Sequence, residues 1–498
     1  VFYRVHRRFS LRCLRMEPGD SAADVGGVVS APPTKRSMFV VSAHLPKEVT
    51  AQGDSSSGTA VVARAGELLG SLPTPRFTLL TSRGMPPHLR PEVVYSQFGD
   101  QQQLVQLPVG DLLIRKENVA RVPENSTGMV GFWPHLKGHV TYCSFRNPRL
   151  NPSVHGGDAV CSVETVGGRR KVSPRDLLDC QRTMRANIVA APGEEVAMDV
   201  VAPRRAHRAV SRAKDWLKDI LDAKAQEPAL DFDWYVLASI QGGGNIKERQ
   251  KACQLSAATE GVSGFWLGGL GYSESISARG RVIEAITSVL PEALPRFLPL
   301  GDGSPIEVLQ AVLLGVDVLE VCYPVQAAAQ GCALIFSCEM PIDWESDATA
   351  DAEALRSLIP APSPPAAVDA VTEVAAPTEV VAADAPPDAG APELPKAVRQ
   401  LHLRAPECRE DFGPIDETSV VRQYSRAYFY HLLEVRELLG TQLLVRHNLQ
   451  VYENFFASVR EHIRKGTLRR FAAWFLRTQT CEPVAPTPSG PAQKKRKR

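Results

Sequence analysis

No stretch of this 498-residue chain could span a membrane. The most apolar run, Val308–Val321, is interrupted by Gln310, Asp317 and Glu320, whereas a spanning helix needs about 20 predominantly apolar residues. Membrane insertion is therefore excluded. Paired cysteines are also missing. Ten cysteines are scattered without one Cys-x-Cys or Cys-x-x-Cys, which removes the usual zinc and thiol-redox spacings and leaves reduced, mostly buried thiols. Net charge is nearly absent: 57 Lys and Arg face 55 Asp and Glu, a formal +2. The chain is no histone-like polycation, and any nucleic-acid contact has to come from a local patch. With 44% hydrophobic residues, global disorder is excluded as well. The length fits several domains or one large barrel with additions.

The charge that exists is concentrated. Residues 1–16 hold five Arg and no acid, and Lys494–Arg498 is wholly basic. Residues 346–398 hold nine acids, two bases and nine prolines, among them Pro360, Pro364 and Pro395. With no helical or strand period and no proline-tolerant ladder, this segment reads as a long disordered insertion, an acidic Pro/Ala-rich linker. Five segments follow: a disordered or targeting extension over 1–34, a main body over 35–345, the linker over 346–398, a helical part over 399–480 and a flexible basic tail over 481–498. The first residues share the composition of mitochondrial transit peptides; the preferred reading is an extension ahead of a start at Met16. The basic tail predicts nuclear or mixed nuclear and cytoplasmic residence, with a generic RNA-affine tail as the alternative.

Between 230 and 325 the pattern is regular. Asp233–Ile240 reads as a strand running into Gln241-Gly242-Gly243-Gly244, and Asn245–Ala258 as a helix. Gly264–Leu267 is a second strand, followed by Gly268-Gly269-Leu270-Gly271 and a helix over Glu274–Leu290. Arg296–Leu300, Gly301-Asp302-Gly303, a helix over Pro305–Leu314 and a strand over Val316–Val321 complete it. Ser304, Pro305 and Glu307 form a full helix-start signal, and Gly315 closes that helix. Strand and helix alternating at this spacing predict parallel βα units, whose ligands sit at the carboxyl ends of the strands. Three consecutive glycine-rich strand ends predict a binding face there.

Residues 399–480 read as helical and basic. Ser425 caps a predicted helix over Arg426–Leu439, Gly440 ends it, and Leu443–Lys465 continues. Arg460, Arg464, Lys465, Arg469, Arg470 and Arg477 are met by one acid, Glu461, and Phe471, Trp474 and Phe475 are interleaved with them. That pattern fits either a phosphate-contacting, tRNA-binding patch or an ordinary solvated face.

These motifs carry a resemblance. Gln241-Gly242-Gly243 and Gly264-Phe-Trp-Leu-Gly-Gly269 resemble the Gln-Gly and Gly-Gly-Leu segments of tRNA-guanine transglycosylases, the queuine tRNA-ribosyltransferase family. Gly315–Pro324 resembles that family's nucleophile strand. Ser425-Arg-Ala-Tyr428, His431-Leu-Leu433 and His447-Asn448 resemble its carboxy-terminal helices. The resemblance, over about 140 to 480, implies a (β/α)8 TIM-type barrel with a carboxy-terminal helical segment. It also implies a site that exchanges guanine in tRNA through a carboxylate nucleophile, with a second carboxylate handling protons.

The chain departs from that pattern at the reacting groups. Glu320 stands where catalytic members carry Asp, one methylene longer, and misplacement by ~1 Å can cost about 10²-fold. The Asp-Ser-Gly-Gly-Phe-Gln motif is absent, with Met129–Leu136 in its approximate place, and the base-reading Asp falls near Gly193. The family's three zinc cysteines are missing from Asp416–Tyr424, leaving His447 as the one matching ligand position; one imidazole does not make a structural zinc site. Cys408 cannot replace three thiolates.

Other segments, Gly331–Ser337 and Ser162–Arg169, resemble the accessory, non-catalytic branch of the family. The expectation is therefore a subunit with no catalytic residue, no zinc and no other cofactor. Gln241, Gly242, Gly268 and Gly269 would be a base-pocket remnant, and the basic helices would meet tRNA beside a catalytic partner subunit. The alternatives are a transglycosylase using Glu320 as nucleophile, or an RNA-binding barrel with no role in base exchange.

Overall fold

The computed structural model describes residues 37–45, 63–98, 101–121, 128–148, 160–165, 167–198, 202–226, 232–272, 274–359 and 397–481. The amino-terminal extension, the centre of the linker and the basic tail, with the targeting expectations attached to them, lie outside the described residues.

Eight parallel staves close into a barrel. The first is made of two short pieces, Arg76–Phe77 and Leu79–Leu80, separated by Thr78 alone. The others are Leu104–Pro108, Val140–Ser144, Ile188–Ala190, Tyr235–Ser239, Val262–Trp266, Arg296–Gly301 and Val318–Val321. Each pairs in parallel with its neighbours, and the two pieces of the first stave pair with the second on one side and the eighth on the other. Most of these strands are buried along their length, as parallel strands flanked by helices must be. This is the expected α/β barrel.

Capping side chains hold the outer helices. Asn245 accepts from Glu248 N–H ahead of Ile246–Ala257. Ser304 and Glu307 form a reciprocal capping box ahead of Pro305–Leu313, and Gly315 takes the left-handed φ of +83° just after it.

The amino-terminal mouth is covered by a three-stranded antiparallel sheet, Phe39–His44, Arg64–Leu68 and Leu72–Thr74. Arg64, buried, forks onto Asp317 at 2.9 and 2.7 Å and donates to the Leu294 carbonyl at 2.9 Å. The hairpin is thus pinned to the start of the eighth stave.

The carboxy-terminal segment closes the barrel seam. The long helix Leu438–Arg464 lays Tyr452 and Phe456 against Phe77 of the first stave, with ring centroids 5.2 and 5.4 Å apart. Two predicted boundaries are corrected here. Gly440 does not end a helix. Arg426–Glu434 stops earlier, Arg436 takes the left-handed turn at φ +59°, and the next helix runs through Gly440. Gly440 allows close packing, since a Cβ there would lie a tight 3.1 Å from Leu432 Cβ. The linker also begins later than 346. Ala348–Arg356 is a helix capped by Asp347, and Leu358 is fully buried. Composition could not reveal this, because the helix is anchored by tertiary partners. Gln310 donates to the Leu358 carbonyl at 2.8 Å, and Arg477 meets Asp351 at 2.6 Å.

Candidate functional site at the carboxyl end of the barrel

Glu320 lies on the eighth stave in the barrel interior and is fully buried. Its Oε1 accepts from the Tyr142 hydroxyl at 2.7 Å and the Trp266 indole N–H at 2.5 Å. Its Oε2 accepts from Gln106 Nε2 at 2.7 Å. Gln106 is itself fixed by Thr78 and Ser144, at 2.6 and 2.9 Å. Four staves thus hold this carboxylate directly or at one remove. Burial pushes its pKa up to about 7, against the pull of the Tyr142 and Trp266 hydrogen bonds and of Arg146. Gln241 does not bond to this carboxylate: its Nε2 donates to Ser239 Oγ at 2.9 Å.

The glycine-rich strand ends do converge. Gln241 is fully buried, with its Oε1 unpartnered. A Cβ on Gly268 would sit 2.2 Å from Gln241 Nε2, so only glycine lets the two loops meet. Gly242 adopts φ +141° for the same crossing. Arg249 locks the loops together by donating to the carbonyls of Gly243 and Gly268 at 2.7 and 2.9 Å. Gln241, Gly242, Gly268 and Gly269, named from two separate motifs, are therefore one spatial cluster.

Gly193 lies in it too, where a Cβ would be 2.2 Å from Ser239 Oγ. No carboxylate fits at that position. The acids are the next two residues, which sequence reasoning missed. Glu195 accepts from Gly269 N–H at 2.8 Å and from the Tyr272 hydroxyl, with Arg146 3.6 Å away. Arg146 stacks on the Tyr272 ring at 3.8 Å and donates to the Leu270 and Gly271 carbonyls at 2.6 and 2.9 Å. Glu195, Tyr272 and Arg146 are thus engaged with one another at this mouth. Met129–Leu136 contributes no carboxylate. It forms two short helical turns, with His135 Nε2 2.8 Å from the Gly84 carbonyl oxygen.

The position matching a zinc ligand has a different environment. His447 is buried, with Nδ1 2.8 Å from Ser419 Oγ and Nε2 2.8 Å from the Leu334 carbonyl oxygen. Both ring nitrogens are occupied, and burial lowers the pKa. Asn448 binds the same strand, accepting from Leu334 N–H at 2.9 Å and donating to Cys332 O at 3.0 Å. The His-Asn pair fastens the long helix to Cys332–Leu334. Among the described residues no group of three or more His, Cys, Asp or Glu could hold a metal ion.

The basic helices differ from the predicted surface. Arg460 is buried: it donates to the Pro75 carbonyl at 2.9 Å and lies 3.5 Å from Glu453. It docks the long helix on the barrel and is withdrawn from any phosphate-facing set. Lys465 pairs with Glu461 at 2.5 Å and Arg470 donates to the Trp344 carbonyl. Arg469 is half-buried, whereas Arg464 is exposed.

Fold and loops together define a barrel of the transglycosylase type. The queuine tRNA-ribosyltransferase family model matches residues 59–480, and the chain belongs to that family. It is similar to queuine tRNA-ribosyltransferase accessory subunit 2 of Xenopus laevis, with 29% identity over 409 residues covering 81% of this chain and 92% of the relative. The Gallus gallus protein of the same name is 28% identical over 80% of this chain and 89% of its own length. The Homo sapiens one is 25% identical over 79% and 90%. The match reaches further toward the amino terminus than the motifs read from sequence did. Among the described residues no helix is long and apolar enough to cross a membrane.

Proposed function

We propose that this chain is the non-catalytic accessory subunit of a heteromeric queuine tRNA-ribosyltransferase, which exchanges guanine for queuine at the tRNA wobble position. A catalytic homologue performs the chemistry, and this subunit supplies contacts to that partner and to tRNA. The observation that carries the reading is the enclosure of Glu320. A nucleophile has to reach the sugar carbon, whereas this carboxylate is fully buried and tied to Tyr142, Trp266 and Gln106 of the barrel interior. Its pKa, raised to about 7, leaves part of it protonated near neutral pH and so lowers the fraction present as the carboxylate a nucleophile needs.

A partner surface is supported by five large apolar residues exposed within 412–439, half of those among the described residues. Phe412 is 81% exposed and Leu438 70%, with Tyr428, Val435 and Leu439 also open to solvent. Exposed apolar clusters of this kind mark protein interaction sites. No zinc is needed in this reading, because Ser419 and the Leu334 backbone hold His447. Nuclear residence is supported by the basic run Lys494–Arg498, and imaging a chain that lacks it tests that point.

The main test is labelled guanine exchange on tRNA by the chain alone and mixed with a catalytic homologue. The chain alone should be inactive and the pair active, and Glu320→Ala should leave the pair's rate within about twofold. Loss of turnover in that variant, with assembly and tRNA affinity intact, would make this chain an enzyme and overturn the reading.

A further inference from the structure

The helix Pro203–Gln226 divides into two electrostatic halves. Its first twelve residues, 203–214, hold Arg204, Arg205, His207, Arg208, Arg212 and Lys214 with no acid. The remainder alternates, Asp215, Lys218, Asp219, Asp222 and Lys224, and is close to neutral. Folding does not ask for cations in the first turns of a helix. The macrodipole is positive there and disfavours each added cation.

Two of the cations have a structural role. Glu194, 5% exposed, lies beneath the helix and pairs with Arg205 at 3.1 Å and with Arg212. The pairing places Arg205 and Arg212 on the inner side, where both are half-buried, and leaves Arg204, Arg208 and Lys214 on the outer, exposed side. Arg204 and Arg208 stand one helical turn apart, like charges at the i,i+4 spacing that disfavours a helix. The next outer helix extends the feature. His207 meets Glu248 at 3.0 Å, and the neighbouring Lys247 is exposed.

This ridge stands at the carboxyl-end mouth. The segment leading to the helix crosses the glycine loops: a Cβ on Gly269 would be 2.9 Å from Val196 O, and one on Gly244 would be 2.8 Å from Met198 O.

We infer that Arg204 and Arg208, flanked by Lys214 and Lys247, form a phosphate-tracking ridge that contacts an RNA backbone passing the barrel mouth. The inference rests on the proposed function for its choice of RNA as the polyanion. It moves the principal contact away from the carboxy-terminal helices, where Arg460 is buried and Lys465 and Arg470 have partners within the chain. Nothing in the ridge reads bases. Its part in binding is charge neutralisation, which makes affinity depend on salt.

The experiment is fluorescence anisotropy with a labelled, unmodified tRNA transcript across a salt series. It uses the full chain alone and the chain reconstituted with a catalytic homologue. Arg204→Glu with Arg208→Glu should weaken binding about tenfold or more at 0.1 M salt and make the log–log salt slope shallower by about 1.4, two contacts at about 0.7 each. Arg204→Lys with Arg208→Lys should retain most of the affinity, because point charges suffice. Arg464→Glu with Lys465→Glu should cost less than about threefold. Thermal midpoints confirm that these surface variants fold.

Unchanged affinity and slope in the double Glu variant would overturn the inference while leaving the accessory reading standing. So would wild-type chain that binds anionic vesicles but no tRNA. Failure to assemble with the catalytic homologue would instead remove the accessory reading, and the salt slope of the chain alone would still decide the ridge.

Discussion

The indole of Trp266 and the carboxylate of Glu320 meet across the barrel interior at 2.5 Å, from the sixth and eighth staves. Indole N–H can only donate, so this oxygen of Glu320 must accept. The Tyr142 hydroxyl approaches the same oxygen at 2.7 Å. The carboxylate of Glu320 is a node at which interior layers of the barrel are tied together.

That node should be visible in stability against pH. Burial raises the carboxyl from an ordinary 4.5 to about 7. Between those values the folded chain keeps a proton that the unfolded chain has released, so stability falls as pH rises through the window and levels off above it. At about 1.4 kcal/mol per pK unit the loss is roughly 3 kcal/mol. Glu320→Gln removes the titration, and its urea-unfolding free energy should be flatter than wild type between pH 5 and about 7.5. Parallel curves for the two proteins would show that the carboxyl titrates normally.

The ion pair at the opposite mouth should be a larger structural determinant. Arg64 and Asp317 are 2% and 0% exposed and lie 2.7 Å apart. Asp317 also accepts from Arg296 N–H at 2.8 Å. Removing Arg64 strands a buried carboxylate, so Arg64→Ala should cost about 3–5 kcal/mol. Chemical denaturation would check it, and a cost below about 1 kcal/mol would mean that the amino-terminal sheet is dispensable for barrel closure.

The parallel α/β architecture was legible because its signals are local. Ser304, Pro305 and Glu307 specify a helix start on their own, and the glycine-rich strand ends mark where loops come together. The interior was less legible. Tyr142 and Gln106 are distant in sequence from Glu320, and only barrel closure makes them its partners. Arg460 reads as one cation among many in a basic helix, and its burial follows from docking on the carbonyl of Pro75. Glu195 follows Gly193 by two residues, but its role depends on Tyr272 and Arg146 arriving from other strand ends. Residues 346–359 look like the start of a proline-rich linker. Leu358 and Asp351 show that the packing of the preceding helices decides otherwise.

Metal content gives another prediction. Ser419 and the Leu334 carbonyl hold both ring nitrogens of His447. Elemental analysis should therefore find well under one zinc per chain, and chelator should not shift the melting temperature. His447 adds a pH signature of its own. Burial lowers its pKa below 6.5, so the unfolded chain takes up the proton first and stability falls as pH drops below that value. His447→Asn should weaken this acid-side slope. One zinc that survives chelation and is lost in that variant would show a metal site.

The last prediction separates two deletions that composition alone would treat alike. Removing 357–395 takes out the nine prolines but also Leu358, which is fully buried and whose carbonyl accepts from Gln310 at 2.8 Å. Removing 361–394 spares Leu358 and the helix Ala348–Arg356, which holds Arg477 through Asp351 at 2.6 Å. Shortening a long connection changes its closure free energy by less than about 1 kcal/mol, whereas truncating a fully buried leucine costs about 2–5 kcal/mol. The longer deletion should therefore lower the melting temperature by several degrees, and the shorter one should leave it within about 2 °C of wild type. Leu358→Ala in the full-length chain should reproduce most of the loss. If both deletions melt together with wild type, Leu358 contributes nothing to the core and the linker begins where composition first placed it.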